Sequence, residues 1–167
     1  MKYYDHKNKR LYFSGPEATS KYWDKQWQDN ANMAKLLKTG GGDNLVRSIT
    51  PKFIKPSPRA RIIDAGCGKG QHVVSLKNLG YSSYGVDYAA KTIAAIKKIR
   101  PDLNVATADV TNLPYPDHYF DGYWSLGVIE HFFSGFEPTA AEMSRVIKPN
   151  GYLFLVFPHM SPLRKIK

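Results

Sequence analysis

Residues 61–70, Arg-Ile-Ile-Asp-Ala-Gly-Cys-Gly-Lys-Gly, decide the fold. A short apolar run ends in an acid, Asp64, and passes directly into a loop with glycines at 66, 68 and 70. A glycine-rich turn between a strand and a helix lets the backbone approach a ligand, because no Cβ stands in the way. The spacing is GxGxG. A dinucleotide fingerprint needs glycine at position 71, where Gln71 stands, and no GxxxxGK[ST] phosphate loop is present. An acid immediately before the loop disfavours a pyrophosphate and favours a ligand carrying positive charge.

The pattern downstream alternates. Gln71–Leu79 is expected to be a helix with Val73, Val74, Leu76 and Leu79 inward, and Ser83–Asp87 a second strand. Ala89–Ile99 reads as a helix with Ile93, Ile96 and Ile99 inward, Asn104–Asp109 as a third strand and Phe120–Ser125 as a fourth. Thr139–Ile147 is a further helix, closed by Lys148-Pro-Asn-Gly151 as a helix end and tight turn, and Tyr152–Phe157 is a fifth strand, apolar on both faces. Strands alternating with helices predict an α/β fold, a doubly wound Rossmann-like parallel sheet covered on both sides. Asp87 follows Gly66 by 21 residues, so in such a sheet its carboxylate reaches over the first loop and can accept from two ribose hydroxyls. Asp109 ends the third strand, where it can accept from an adenine amino group. Three acids at successive strand ends lie on the edge where these sheets bind ligands.

The chain before Ala60 reads differently. Ser20 is expected to cap a helix from Lys21 that sets Trp23 and Trp27 on one face. After Gly40-Gly41-Gly42, the spacing of Leu45, Val46, Ile49, Phe53 and Ile54 suits a short amphipathic helix that Pro51 would bend or end. Lys55–Arg59 is a stiff connector. Three regions follow: an N-terminal helical cap and linker (1–59), a ligand-binding domain (60–157) and a basic tail (158–167). With 167 residues the chain suffices for one cored domain; its 43% apolar and 23% charged residues exclude disordered and fibrous classes. The single cysteine, Cys67, excludes an internal disulfide framework, and the scattered His72, His118 and His159 give no metal-ligand spacing. No apolar run reaches the roughly 20 residues of a membrane span and no signal-peptide core opens the chain, so a cytoplasmic protein is expected. The net charge of +10 resides on the flanks: residues 60–157 are neutral. A basic flank contacts phosphates or is simply solvated, and composition does not separate the two.

The segment RIIDAGCGKGQ…YGVDYA…TADVTNLPYPDHYFDGYWSLGVIEHF…EMSRVIKPNGYLFLVFP resembles the class I S-adenosylmethionine-dependent methyltransferases, nearest the small-molecule branch that includes ubiquinone/menaquinone-biosynthesis enzymes. The resemblance implies strand order 3-2-1-4-5, S-adenosylmethionine as cofactor and a small-molecule methyl acceptor. By resemblance Asp64 anchors the glycine loop, and Gly66, Gly68 and the Cys67 backbone pass the methionine part of the cofactor. Asp87 would hold the ribose, Tyr88 would pack beside the adenine, Asp109 and the Val110 backbone would read the adenine edge, and the Leu126 carbonyl would meet the cofactor ammonium. Cys67 reads as a packing residue rather than a nucleophile.

Other residues keep two readings. His131, in Glu130-His131, is a candidate general base or a packing residue under the next helix. The Trp23–Trp27 face either covers the sulfonium by cation–π attraction, worth ~0.5–2 kcal/mol, or packs on the sheet's helices. Phe132, Phe133 and Phe136 form a substrate wall or ordinary core. Only ten residues follow Phe157, whereas the family adds a helix and two antiparallel strands; a C-terminally truncated chain is therefore expected, with Tyr152–Phe157 as an apolar edge strand prone to self-association. A cofactor-binding module without independent turnover is then one alternative, and an RNA methyltransferase another. The amino-methylating nucleic-acid tetrad is absent after the fourth strand, where Ser125-Leu-Gly-Val128 stands, so a nucleic-acid partner is possible but not favoured.

Overall fold

The computed structural model describes residues 2–5, 7, 10–13, 19–27, 30–42, 45–132 and 135–158. It opens with two antiparallel strands, β1 (Lys2–Asp5) and β2 (Arg10–Phe13), in register from Lys2 opposite Phe13 to Asp5 opposite Arg10. Three helices follow: α1 (Ser20–Gln26), α2 (Asn30–Thr39) and α3 (Leu45–Phe53). The alternating part runs β3 (Arg61–Ala65), α4 (Gln71–Asn78), β4 (Ser82–Asp87), α5 (Ala90–Ile99), β5 (Asn104–Thr107), β6 (Phe120–Leu126), a 3-10 turn at Ile129–His131, α6 (Glu137–Val146) and β7 (Ile147–Val156). The five later strands form one parallel sheet in the order β5-β4-β3-β6-β7, which is the expected 3-2-1-4-5.

Strand β3 is central and buried on both faces, so its alternate residues build two cores. Ile62 joins Leu76, Trp124, Phe154, and Val46 and Ile54 from the α3 region, while Ile63 and Ala65 join Val86, Phe120, Tyr123, Met143 and Val146 beneath α6. A third cluster beneath α4 and α5 takes Met33 and Leu37 from α2. Helices α2 and α3 thus share the sheet's core.

Several boundaries differ from the sequence expectation for physical reasons. Residues 1–59 are not all helical, since they include the β1–β2 hairpin. The cap of α1 is Thr19, whose Oγ1 accepts from the Tyr22 N–H at 3.2 Å; Ser20 already lies in the helix. Pro51 does not end α3, because it sits in the last turns and removes one N–H, while the Ile54 N–H closes on the Thr50 carbonyl at 2.9 Å beyond it. Thr50 also bonds the Val46 carbonyl (2.7 Å) and accepts from Trp124 Nε1 (3.0 Å), which pins α3 to the sheet. Ile99, expected inward, is 39% exposed, because it ends α5 beyond the buried pair Ile93 and Ile96. The third strand stops at Thr107, leaving Asp109 in a turn.

Lys148–Gly151 do not form a separate turn. Strand β7 begins at Ile147, paired with Phe120, and the four residues bulge out, Asn150 at φ 64°, before Tyr152 resumes pairing with Gly122. β7 is the sheet's edge strand, as expected. Phe154 is buried on Trp124 (4.4 Å, stacked) and Phe53 of α3 leans on Tyr152 and Phe154, whereas Leu153 and Leu155 on the opposite face remain 46% and 37% exposed. No helix among the described residues is long and apolar enough to cross a membrane.

One long-range contact orients α1. Asp24, buried at 8% exposure, accepts from the Thr92 N–H (3.1 Å) and hydroxyl (3.3 Å) in the first turn of α5, whose own N-cap, Ala89, has no capping side chain. Asp24 caps α5 from another helix, meeting an orphan donor and the positive helix end. Asp24→Ala is expected to lower stability by about 0.5–2 kcal/mol, read as a lower urea midpoint at unchanged m-value.

Candidate functional site

The loop after β3 is held by its neighbour strand. The Gly66 and Cys67 N–H groups donate to the Val86 carbonyl (2.8 and 2.9 Å), and the Gly68 N–H donates to Asp87 Oδ2 (2.7 Å). Asp87 Oδ1 accepts from the Ala89 N–H (2.9 Å), so one carboxylate ties the glycine loop to the start of α5. Gly66 (φ 87°) and Gly68 (φ 50°) occupy left-handed backbone, and a Cβ would run into Val128 at the first and approach the Trp27 ring to 3.2 Å at the second.

The anchor of this loop is therefore Asp87, not Asp64 as expected. Asp64 is 1% exposed, neither of its oxygens has a hydrogen-bond partner, and it does not line the cleft described next. Burial, and then the Asp87 charge, push its carboxyl up to about 7. Burial also raises Asp87, against the lowering effect of its backbone donors. The Cys67 thiol is 3% exposed, packed among Val73, Ile93 and Val105, and pushed up by burial, the environment of a packing residue.

A cleft of ≈ 410 Å³ opens at the carboxyl ends of β3, β4, β5 and β6. Gly66, Cys67 and Gly68 form its floor, with Asp87 and Tyr88 on one side. Asp109 and Val110, after β5, and Leu126 and His131, at and after the end of β6, also line it. Asp109 Oδ1 is engaged by the Thr111 N–H and hydroxyl, both at 2.8 Å. Trp23 and Trp27 of the α1 region complete the wall, stacked at 5.8 Å and 15°, and Trp23 meets the edge of His131 at 4.9 Å and 85°. His131 is half-buried, and burial pulls its pKa down against the raising effect of Glu130, so the imidazole is neutral at pH 7.

Except for Asp64, then, the structure brings the site residues singled out in the sequence into one cleft. Trp27 and Phe132, each with two readings in the sequence, line it as well, and the structure adds Lys69, Gln71 and His72. Lys69 was open to view in the sequence, between Gly68 and Gly70, but nothing in the spacing says that its side chain turns inward to 9% exposure. Of the expected phenylalanine cluster, Phe132 lines the cleft and Phe136 a separate groove with Leu153 and Leu155, while Phe133 lies outside the described residues.

The raised Asp64 makes stability pH-dependent. A carboxyl that titrates near 7 when folded and near 3.8 when unfolded holds an extra proton in the folded state between those values, so stability falls as pH rises through this window. Asp64→Asn removes the titration. Its stability relative to wild type is expected to improve steadily from pH 4 to pH 8 in denaturant titrations; a difference independent of pH would contradict the buried, unpaired carboxyl.

Residues 63–155 match the family described as "Methyltransferase domain". The chain is 30% identical over 125 residues to a demethylmenaquinone methyltransferase of Corynebacterium kroppenstedtii, covering 73% of this chain and 52% of that protein. It is 34% identical over 100 residues to a probable tRNA methyltransferase 9B of Bos taurus, covering 59% of this chain and 21% of that one. The chain spans about half the length of the first of these relatives. A solved structure of a putative S-adenosyl-L-methionine-dependent methyltransferase from Methanococcus maripaludis superposes with a TM-score of 0.62 at 18% identity, covering 84% of this chain and 64% of that chain, a likeness of fold.

Proposed function

The chain belongs to the class I S-adenosylmethionine-dependent methyltransferases, and from that premise we propose that its cleft binds S-adenosylmethionine and presents it to a small-molecule methyl acceptor. The observation that carries the reading is the convergence of a glycine floor, two separate carboxylates and a tryptophan wall on one cleft of ≈ 410 Å³. The residues fit the cofactor's chemistry. Each Asp87 oxygen accepts one backbone bond, which leaves a lone pair on each for the two ribose hydroxyls. Asp109 keeps Oδ2 for an adenine amino group, since Thr111 occupies Oδ1. Tyr88, 48% exposed on the rim, is placed to flank the base, with the Val110 backbone beside it. Gly66, Cys67 and Gly68 offer bare backbone to the amino-acid part, and the Leu126 carbonyl an acceptor for its ammonium.

Bound S-adenosylmethionine supplies an electrophilic methyl group on a sulfonium with a good leaving group. The protein's task is then mainly alignment and exclusion of water. Trp23 and Trp27 cover the opening with aromatic faces suited to a cation. His131, neutral at pH 7 and in edge contact with Trp23, is the group placed to take a proton from the acceptor's nucleophilic atom.

A second reading, a nucleic-acid acceptor, rests on charge. Helices α2 to α5 contain no Asp or Glu, and Lys35, Lys38, Arg47, Lys52, Lys97 and Lys98 stand exposed on them. That layer meets the cleft at the start of α4, through Gln71 and His72, and a polyanion suits it. The two readings separate in one assay: methyl transfer from labelled S-adenosylmethionine to phenolic and quinol acceptors, or to bulk tRNA. Binding without transfer to either class would make the chain a cofactor-binding module. In calorimetry Asp87→Ala is expected to bind S-adenosylhomocysteine at least about tenfold more weakly, from loss of a charged acceptor; unchanged affinity would remove the ribose from this strand end.

The partner reading extends to a second copy of the chain. Among the described residues the outer edge of β7 is unpaired, and Leu153 and Leu155 are exposed beside it, each worth about 1.5–3 kcal/mol on full burial. The basic residues Arg164–Lys167 of the tail lie outside the described residues. Light scattering is expected to show association that grows with concentration and weakens in Leu155→Lys; a monomer at every concentration would overturn it.

A further inference from the structure

Helix α3 is apolar toward the sheet and basic toward solvent. Val46, and Ile54 just past the helix, join the core with Trp124 and Phe154, whereas Arg47 and Lys52, and Lys55 and Arg59 in the connector, are exposed. None of these four bases has an ion-pair partner among the described residues, and no Asp or Glu occurs from Leu45 to Ile63. Phe53, in the last turn of α3, leans out over β7, its ring 5.4 Å from Tyr152 and 5.8 Å from Phe154. It still stands 52% exposed, and Tyr152 and Val156, on the same strand face as Phe154, are exposed as well. The acid next to this corner, Asp121 before the Tyr152 partner Gly122, is taken up by Lys148 (2.7 Å) and the Arg61 N–H (2.8 Å). One corner of the fold thus presents apolar side chains and unpaired positive charge together. An RNA would meet the bases through its phosphates but offers nothing to the aliphatic Val156. A lipid surface meets both, because aromatic and aliphatic side chains settle at the headgroup level while anionic headgroups attract the bases beside them.

We propose that the α3–β7 corner, with Phe53, Tyr152 and Val156 as its apolar part and Lys52 and Lys55 as its charged rim, is a docking surface for a bilayer containing anionic lipid, on which the chain rests without spanning it. The surface lies away from the cleft. Tyr152 pairs with Gly122 near the amino end of β6, and α3 leads into the start of β3, whereas the cleft opens at the carboxyl ends of the strands. A docked chain therefore keeps its cleft clear of the lipid. The surface is also separate from the unpaired edge and the Leu153–Leu155 face assigned above to a second copy, because Tyr152 and Val156 point to the other side of β7. The inference is independent of what the cleft binds.

The test is flotation of the full chain with vesicles of phosphatidylcholine alone and of phosphatidylcholine mixed with phosphatidylglycerol. Wild type is expected to float with the mixed vesicles only, and less so as salt is raised. Lys52→Gln combined with Lys55→Gln should weaken that binding roughly tenfold to thirtyfold, the span of two bases at an anionic surface. Lys97→Gln combined with Lys98→Gln removes the same charge from α5 and should leave vesicle binding nearly unchanged. In Phe53→Trp the added indole should shift its emission to shorter wavelength on the mixed vesicles and be quenched by lipids brominated in their acyl chains, with wild type as the baseline for Trp23, Trp27 and Trp124. Equal weakening by the α5 pair would reduce the binding to overall charge, and failure to float with either vesicle would remove the lipid. Binding of tRNA that falls in the Lys52 and Lys55 variant, without any vesicle binding, would give the corner to a nucleic acid. Each of these outcomes overturns the proposal. Thermal melts establish that every variant meets the vesicles folded.

Discussion

Two hydrogen bonds from backbone N–H groups to one carboxylate hold the functional edge together. Asp87 at the end of β4 accepts from Gly68 in the neighbouring loop and from Ala89 at the start of α5, at 2.7 and 2.9 Å. Bonds to an ionised acceptor are stronger than neutral ones, and their geometry sets the loop height over the sheet. The Val86 carbonyl repeats the tie one residue earlier. A loop with left-handed glycines has many conformations in isolation; two adjacent residues of β4 select one. The selection also has an electrostatic consequence. With Asp87 bound to two donors and Asp64 bound to none, the burden of burying two nearby acids falls on Asp64, whose carboxyl is raised toward neutrality.

The opposite wall of the cleft depends on a contact of a different kind. Helix α1 is only seven residues long and has little reason to persist alone. It is held because Asp24 serves as the cap that α5 lacks, and because its indoles stack on each other and against His131. The residue that orients α1 is thus adjacent in sequence to Trp23, which covers the cleft.

Charge is distributed by layer. The helices on one side, α2 to α5, carry only bases, while the acids of the other side are engaged in local ion pairs: Glu142 and Asp117 with Arg145, and Asp121 with Lys148. These pairs fasten α6, the Leu113–Asp117 loop and β7 to one another. Of these four helices only α4 lines the cleft, through Gln71 and His72, and its one lysine, Lys77, pairs with Asp102 at 2.7 Å, so the exposed bases of α2, α3 and α5 stand away from the cleft lining.

Much of the fold was legible in the sequence because its signals are local. Short apolar strands alternating with helices give the parallel sheet, and glycine spacing with Asp87 and Asp109 at strand ends gives the ligand edge, since backbone conformation and strand period depend on adjacent residues. The β1–β2 hairpin and α2 are not legible in the sequence, because neither carries a distinctive turn pair or a full apolar stripe. Pro149 and Gly151 suit a turn as well as a bulge, and the pairing of both Ile147 and Tyr152 with β6 decides between them. What only the tertiary structure decided was partnership: that Asp87 rather than Asp64 holds the loop, that Asp24 caps a helix 68 residues away, and that Lys69 turns inward. Each depends on which side chain meets which backbone group across the sheet edge. The distances that settle it exist only after β3, β4 and α1 have packed, whereas a glycine at positive φ is recorded in the chain itself.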